Sequence, residues 1–270
     1  MNTYDKSADT AVLVVSFGTS YNDSRDITIG AVEKAIAKAC PGYEARRAFT
    51  SQTIINILRD REGIKIDNVA GALKRAAADG IRNLAVQPTH IMDGFEYNEV
   101  MRQLDIHRDS FCRIAVGRPL LWGEEDFRAV AKAAASHTGV YDDGETAVIY
   151  IGHGTMAESN RVYGRLQSTF ADERLDNYYI GTVEAGPAAG DLAKILRERG
   201  RYRRVVLTPL MLVAGDHANN DMAGDGKDSW KSVFMAEGYQ VECLLQGLGE
   251  LEAIRELYVN HALAAVEGLR

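Results

Sequence analysis

The sequence of 270 residues is poor in cysteine, has no excess of basic charge and contains no long apolar run. Its three cysteines, Cys40, Cys112 and Cys243, are far apart and form no Cys-x-x-Cys pair, which predicts buried thiols rather than a disulfide framework. Basic residues number 31 and acidic residues 38, and the net charge of -7 argues against a general nucleic-acid binder. The apolar run that begins at Ala11 is too short to span a membrane.

The N-terminal segment lacks the features of an export signal. MNTYDKSADT is polar and has no apolar h-region, so we expect a cytoplasmic protein that is not attached to a membrane. Hydrophobic residues make up 46% of the chain and charged residues 26%, which is ordinary for a soluble globular protein. This composition excludes a disordered, collagen-like or disulfide-stapled chain.

Three common catalytic motifs are also absent from the sequence. Gly247-Leu248-Gly249 lacks the third glycine of a dinucleotide-binding G-x-G-x-x-G. Gly226-Lys227 is followed by Asp228 and so forms no Walker A motif, and no G-x-S-x-G occurs. These absences argue against a nucleotide cofactor, ATP-driven chemistry and a serine hydrolase.

Short apolar runs alternate with longer amphipathic stretches along the chain. Strands are predicted near 11–16, 43–49, 82–87 and 111–117, and again near 146–151, 178–183, 203–208 and 239–244. Helices are predicted near 24–39, 53–60, 67–79, 97–108, 157–171, 188–199, 228–237 and 250–267, with one more between 118 and 145. Strands that alternate with helices indicate βαβ units and parallel sheets.

The two halves of the chain are similar to each other. AVLVVSFGTS at 11–20 aligns with AVIYIGHGTM at 147–156, and LAVQPTHIMDGFE at 84–96 aligns without a gap with VVLTPLMLVAGDH at 205–217. We therefore expect a duplicated α/β domain, with domains at 1–125 and 126–249 and a connection near 118–145. The alternative is one continuous domain, because chains of this length can form one.

Three side chains with metal-binding chemistry follow successive strands of the second half. His153 follows its first strand, Glu184 its second and His217 its third. Because ligands bind at the carboxyl ends of parallel strands, we expect these groups to meet at one sheet edge. Imidazole and carboxylate together suit borderline divalent metals and can also serve as acids and bases. The alternative is three ordinary polar loop residues, since their spacing matches no short metal motif.

The first half offers a weaker set of polar residues. His90 and Glu96 follow its third strand, and in the internal alignment Glu96 falls opposite His217 and Phe17 opposite His153. If the two domains face each other, Glu96 would look across a cleft at the metal-binding set; alternatively it only begins the helix at 97–108. Basic residues that could meet an anionic ligand, or be ordinary solvated charges, are Arg25, Arg46, Arg47, Arg161, Arg165, Lys227 and Lys231.

Several motifs together resemble one enzyme family. They are SFGTSY (16–21), RAFTS (47–51), HIMDGFEY (90–97), GHG (152–154), VEAGP (183–187) and PLMLVAGDHANNDMAGDGKDSWK (209–231). The chain resembles the anaerobic sirohydrochlorin cobaltochelatases of the CbiK type, in the class II chelatase superfamily, from about residue 11 to the C-terminal helix.

The resemblance implies two similar Rossmann-like domains, each with a four-stranded parallel sheet flanked by helices, with a cleft between them and the C-terminal helix (250–270) packed on the first. It implies a lyase of cobalamin biosynthesis that inserts cobalt(II), as substrate metal, into sirohydrochlorin without a nucleotide. His153, Glu184 and His217 would be the metal ligands, and His153, His217 and Glu96 the catalytic residues. An iron or nickel chelatase for the same ring, or a carrier of a metal or tetrapyrrole without chemistry, is the alternative, and a homo-oligomer is left open.

Overall fold

The computed structural model describes residues 9–270, so most of the polar N-terminal segment discussed above, residues 1–8, lies outside it. The chain forms two compact units. The first unit contains the residues up to Trp122 and the segment Ile254–Arg270. The second unit contains Gly123–Ala253. The limits 1–125 and 126–249 for independently folding domains stay a prediction.

The order of helices and strands is the alternating one expected from the sequence. The first unit contains β1 (Thr10–Ser16), α1 (Asn22–Ile27), α2 (Ile29–Ala39), β2 (Glu44–Phe49), α3 (Gln52–Glu62), α4 (Val69–Ala78), β3 (Asn83–Pro88), α5 (Phe95–Ile106) and β4 (Arg113–Val116). The second contains α6 (Glu124–Thr138), β5 (Thr146–Gly152), α7 (Arg161–Asp172), β6 (Tyr178–Thr182), α8 (Ala189–Arg199), β7 (Arg204–Pro209), α9 (Trp230–Ala236) and β8 (Gln240–Cys243). The last helix is α10 (Glu252–Glu267).

Each unit has one four-stranded parallel sheet. The strand order is β2-β1-β3-β4 in the first unit and β6-β5-β7-β8 in the second, and the two orders are equivalent. In both sheets the second strand along the chain pairs with one side of the first strand, and the third strand pairs with its other side. This confirms the predicted α/β class with a four-stranded parallel sheet in each half.

The central strands β1 and β5 are mostly apolar, as expected for strands whose sheet is covered by helices on both faces. Residues 11–16 of β1 and all of β5 are buried. In the first unit Leu13 packs in a core with Leu73 of α4 and Val100 of α5. In the second, Ile149 packs in a core with residues of α8 and α9, including Phe234. Burial of one such side chain contributes about 1.5–3 kcal/mol.

The helix predicted over 24–39 is instead two helices, α1 and α2, that meet at Thr28. Thr28 has a ψ of -81°, far from the helical value of about -42°. It is fully buried, so its hydroxyl needs a protein partner, and it donates a hydrogen bond to the carbonyl oxygen of Ser24. This bond back to the preceding turn bends helices, which explains the break.

Backbone hydrogen bonds show the internal repeat directly. In the first unit the Leu120 N–H donates to the His90 carbonyl oxygen (2.9 Å), and in the second the Leu248 N–H donates to the Met211 carbonyl oxygen (2.8 Å). His90 and Met211 are opposite each other in the sequence alignment. The aligned segments 84–96 and 205–217 therefore occupy equivalent places in their units.

The C-terminal helix α10 supports two loops of the first unit. The Tyr258 hydroxyl donates to the Thr89 carbonyl oxygen (2.8 Å), directly after β3. His261 Nδ1 lies 3.2 Å from the Arg118 carbonyl oxygen, just beyond β4. Both side chains are buried, so these contacts hold the loops that follow β3 and β4 in place.

The three cysteines are free thiols, as predicted, but only Cys40 is fully buried. Burial raises the pKa of the thiols of Cys40 and Cys243. The expectation of a buried thiol is wrong for Cys112, which is exposed because it precedes β4, a short strand at the edge of its sheet. Within residues 9–270, none of the helices combines the length and the apolar composition of a membrane span.

The two ring nitrogens of His90 are buried, which predicts a pH-dependent stability. Neither ring nitrogen has a hydrogen-bond partner among residues 9–270, and burial lowers the pKa of His90 to about 4, against 6.5 in an ordinary histidine. The unfolded chain therefore takes up a proton between pH 6.5 and 4 that the folded chain does not. The free energy of unfolding should therefore decrease as the pH is lowered from 6.5 to 4, by at most about 1.4 kcal/mol per pH unit for this group.

Replacement of His90→Met, the residue at the aligned position 211, should remove this contribution. We expect the difference in free energy of unfolding between wild type and variant to change from pH 6.5 to pH 4.5, with the wild type losing more on acidification. Urea unfolding of the full chain at several pH values measures it. A difference that is independent of pH would contradict the prediction.

Candidate metal centre

Three predicted site residues lie at the same edge of the second sheet. His153 directly follows β5, Glu184 follows β6 by two residues, and His217 lies beyond β7. One potential ligand atom from each side chain lies within 4.8 Å of the other two. Because β6, β5 and β7 are neighbours and parallel, their carboxyl ends lie side by side, which is where ligands bind in open α/β sheets.

Backbone hydrogen bonds also join the segments just beyond β5 and β6 and hold two of these residues next to each other. The Val183 N–H donates to the Gly152 carbonyl oxygen (3.0 Å), and the Glu184 N–H donates to the His153 carbonyl oxygen (2.8 Å). The side chains then meet, with His153 Nε2 3.2 Å from Glu184 Oε2. Main-chain geometry thus fixes this pair before any metal is considered.

The glycines on either side of His153 are required by close packing. A Cβ atom on Gly152 would lie 2.2 Å from the ring of Tyr163. Gly154 has a φ of +84°, and a Cβ atom there would lie 2.8 Å from Cβ of Thr182. The Tyr163 hydroxyl accepts a hydrogen bond from the Gly154 N–H (3.3 Å), and burial raises the pKa of this tyrosine. A larger residue on either side would therefore displace His153.

His217 lies at the start of a wide turn that the sequence analysis did not predict. Residues Ala218–Met222 form a single π-helical turn, a feature that is frequent at functional sites. His217 Nδ1 lies 2.7 Å from Asp221 Oδ2, and the His217 ring stands edge-on to the His153 ring with 4.5 Å between centroids. Asp221 was not singled out from the sequence, although a histidine and a carboxylate four residues apart are a recognisable signal.

Two asparagines anchor this turn. The Asn219 side-chain amide donates to the Gly215 carbonyl oxygen (2.7 Å), and the Asn220 amide donates to Asp216 Oδ1 (2.8 Å). Both contacts span four residues, as does the contact between His217 and Asp221. The segment after β7 is thus stabilised by contacts between residues four apart at three successive positions.

The three candidate ligands are accessible rather than enclosed. Their side chains are 46% (His153), 53% (Glu184) and 33% (His217) exposed. Two imidazoles and one carboxylate match the donors that borderline divalent metals prefer, and three protein donors leave coordination positions for a substrate. The arrangement can hold such an ion and release it to another ligand.

Glu96 lies in the first unit and is exposed. It is in the first turn of α5, where a carboxylate interacts favourably with the helix dipole. The corresponding edge of the first sheet has the same backbone, because the Ser51 N–H donates to the Phe17 carbonyl oxygen (3.1 Å). Phe17, Ser51 and Glu96 thus occupy the positions of His153, Glu184 and His217. Only Glu96 retains a potential ligand, and its catalytic role stays a prediction.

Most of the basic residues considered for an anionic ligand pair with nearby carboxylates. The pairs are Arg46 with Glu44 and Asp79, Arg47 with Glu33, Arg161 with Glu158, Arg165 with Glu124, and Lys231 with Asp225. Arg25 is buried. These charges are therefore partly neutralised within their own units.

Comparison with known proteins assigns the family. A family model described as cobalt chelatase (CbiK) matches residues 10–267. The chain belongs to the CbiK family. Sirohydrochlorin cobaltochelatase of Salmonella typhimurium is 41% identical over 251 residues, covering 93% of this chain and 94% of that protein. Sirohydrochlorin cobaltochelatase CbiKC of Nitratidesulfovibrio vulgaris is 31% identical over 264 residues, covering 96% of this chain and 91% of that protein. The family expected from the motifs is thereby confirmed.

A solved structure shows the same fold at low sequence identity. SirB from Bacillus subtilis with Fe3+ aligns with a TM-score of 0.65 and 14% identity, over 96% of this chain and 98% of that one. This CbiK-family chain therefore shares its fold with that structure.

Replacement of Gly154→Ala should lower both stability and metal affinity. The positive φ and the clash with Thr182 cost about 1–3 kcal/mol, and the relief of the clash displaces His153 and Glu184. The matched control is Gly18→Ala in the first unit, where φ is +102° and a Cβ atom would lie 2.6 Å from the Phe49 ring. Calorimetric unfolding should show both variants destabilised, whereas titration with cobalt(II) should show weaker binding only for Gly154→Ala. Equal cobalt affinities in the two variants would contradict the prediction.

Proposed function

We propose that this protein is a sirohydrochlorin cobaltochelatase, an enzyme that inserts cobalt(II) into sirohydrochlorin without a nucleotide cofactor. The observation that carries the proposal is the convergence of His153, Glu184 and His217 within 4.8 Å at one sheet edge. Membership of the CbiK family and two relatives named for this activity support the choice of ring and metal. We place the reaction in anaerobic cobalamin biosynthesis, in the cytoplasm.

The donor set narrows the range of metals. Oxygen-only sites suit magnesium and calcium, and thiolate sites suit copper(I) or zinc, whereas imidazole with carboxylate suits cobalt, nickel, iron and zinc. The single carboxylate, Glu184, compensates part of the charge of a divalent cation, and the imidazoles of His153 and His217 bind it through nitrogen lone pairs.

Insertion exchanges two protons for one metal ion. Sirohydrochlorin loses two pyrrole N–H protons as its four nitrogens bind cobalt(II), so each turnover releases two protons. As bonds from the metal to the ring form, the bonds from the metal to His153 and His217 break. Each imidazole then regains a free lone pair at the place where a proton is released, so either histidine can act as a proton acceptor. In this proposal Glu96 accepts the other proton or orients the ring.

Purified protein mixed with sirohydrochlorin and cobalt(II), iron(II) or nickel(II) tests the proposal through the absorption spectrum of the ring. We expect multiple turnovers with cobalt(II). The variants His153→Ala and His217→Ala should lose at least about 100-fold in rate while remaining folded, because each removes a donor and a base. His107→Ala, at the end of α5 in the first unit, is the control and should retain the wild-type rate.

Other outcomes identify the alternatives. Turnover only with iron or nickel would assign a different metal. Stoichiometric binding without turnover would indicate a carrier. Full cobalt insertion by either alanine variant would overturn the assignment of the site.

The role of Glu96 is tested separately by Glu96→Gln. If this carboxylate accepts a proton, kcat should fall about 100-fold, while the affinity of the free protein for cobalt(II) stays the same. The matched control is Glu99→Gln on the same helix, whose carboxylate pairs with Arg102 and should be dispensable for turnover. An unchanged kcat in Glu96→Gln would show that Glu96 has no catalytic role and only lies in the first turn of α5.

A further inference from the structure

We propose that Asp221 is a positioning residue that fixes the tautomer and the orientation of His217 for metal transfer. This inference rests on the proposed function, because it assigns His217 Nε2 as the nitrogen that binds the substrate metal. The observation behind it is the 2.7 Å contact between His217 Nδ1 and Asp221 Oδ2.

The contact determines where the imidazole carries its proton. A neutral imidazole has one N–H, and an ionised carboxylate can only accept a hydrogen bond. The proton of neutral His217 therefore resides on Nδ1, from which Asp221 accepts a hydrogen bond. The lone pair of the imidazole resides on Nε2. A histidine ligand must present a lone pair to the metal, and this tautomer presents one on Nε2.

The turn that holds Asp221 is built to keep the contact in place. Asn219 and Asn220 donate to residues four positions earlier, so the chain around Asp221 is restrained on its own. A Cβ atom on Gly224 would lie 2.2 Å from the Asn220 carbonyl oxygen, which shows how tightly the turn closes. Asp221 thus belongs to a preformed loop and does not need the metal to reach His217.

The first unit supports this assignment by contrast. Glu96 occupies the position of His217 there, and the residue four positions further on is Val100, which is buried in the core. Where the imidazole is absent, the carboxylate behind it is absent as well. His153 has a different arrangement, since its Nε2 faces Glu184 at 3.2 Å. Asp221 therefore serves His217 alone.

The tautomer can be measured without any metal or substrate. Nitrogen-15 NMR of the imidazoles in the metal-free full-length protein, at a pH where His217 is neutral, should show the proton of His217 on Nδ1. In Asp221→Ala the signals should shift toward the Nε2–H form, which is the more stable one for a free histidine. Asp221→Asn should retain the Nδ1–H form in part, because its amide oxygen can accept the same hydrogen bond. Asp225→Asn, which removes an exposed charge from the same segment, should leave the signals unchanged.

The functional consequence is a loss of metal affinity rather than of fold. We expect the KM for cobalt(II) to rise about 10–100-fold in Asp221→Ala, with a smaller change in kcat, and less than about tenfold in Asp221→Asn. Asp225→Asn should keep the wild-type KM. If Asp221→Ala does not fold, Asp221→Asn and the wild-type tautomer still decide the question.

Two results would overturn the inference: an Nε2–H tautomer of His217 in the wild type, or an unchanged KM for cobalt(II) in both Asp221 variants. Failure of the proposed function gives a different result. In that case the wild type shows no cobalt turnover, while the tautomer still depends on Asp221.

Discussion

The parallel pairing of β6, β5 and β7 is the constraint on which the candidate site depends. It brings three carboxyl ends to one edge, and it continues past the strands so that the Glu184 N–H meets the His153 carbonyl oxygen. The glycines around His153 are required by close packing, because the ring of Tyr163 and the side chain of Thr182 leave no space for a side chain. Main-chain hydrogen bonds thus place two of the candidate ligands, His153 and Glu184, next to each other.

The first unit shows that this frame and its chemistry are separable. Its strand order, its loop after β3 and its hydrogen bond at Phe17 reproduce those of the second unit, yet the three edge positions hold Phe17, Ser51 and Glu96. The frame requires glycine at Gly18 and Gly154 and apolar residues in the strands, whereas the side chains at the edge do not contribute to the sheet. The duplicated frame therefore carries different side chains at the same edge positions.

Sequence reasoning succeeded where the signal is local and repeated. The central strands are short apolar runs between helices, and His153 directly follows such a run, so its place at the sheet edge was predictable. The break at Thr28 was not, because a threonine within an amphipathic stretch looks helical until its burial forces the hydroxyl onto Ser24. The turn after His217 and the exposure of Cys112 likewise depend on tertiary structure. Asp221 was missed because only its contact with His217, and not its residue type, marks it as a candidate site residue.

The partial exposure of His153, Glu184 and His217 has a consequence for the time that a metal spends on the protein. A structural zinc site encloses its ion with four protein donors and keeps it. In the proposed metal centre, three donors on an open edge would bind the ion less tightly, so that it could depart in each cycle. A more enclosed site would bind the ion more tightly and release it more slowly, so the proposed function sets a limit on the residence time of the metal as well as on its affinity.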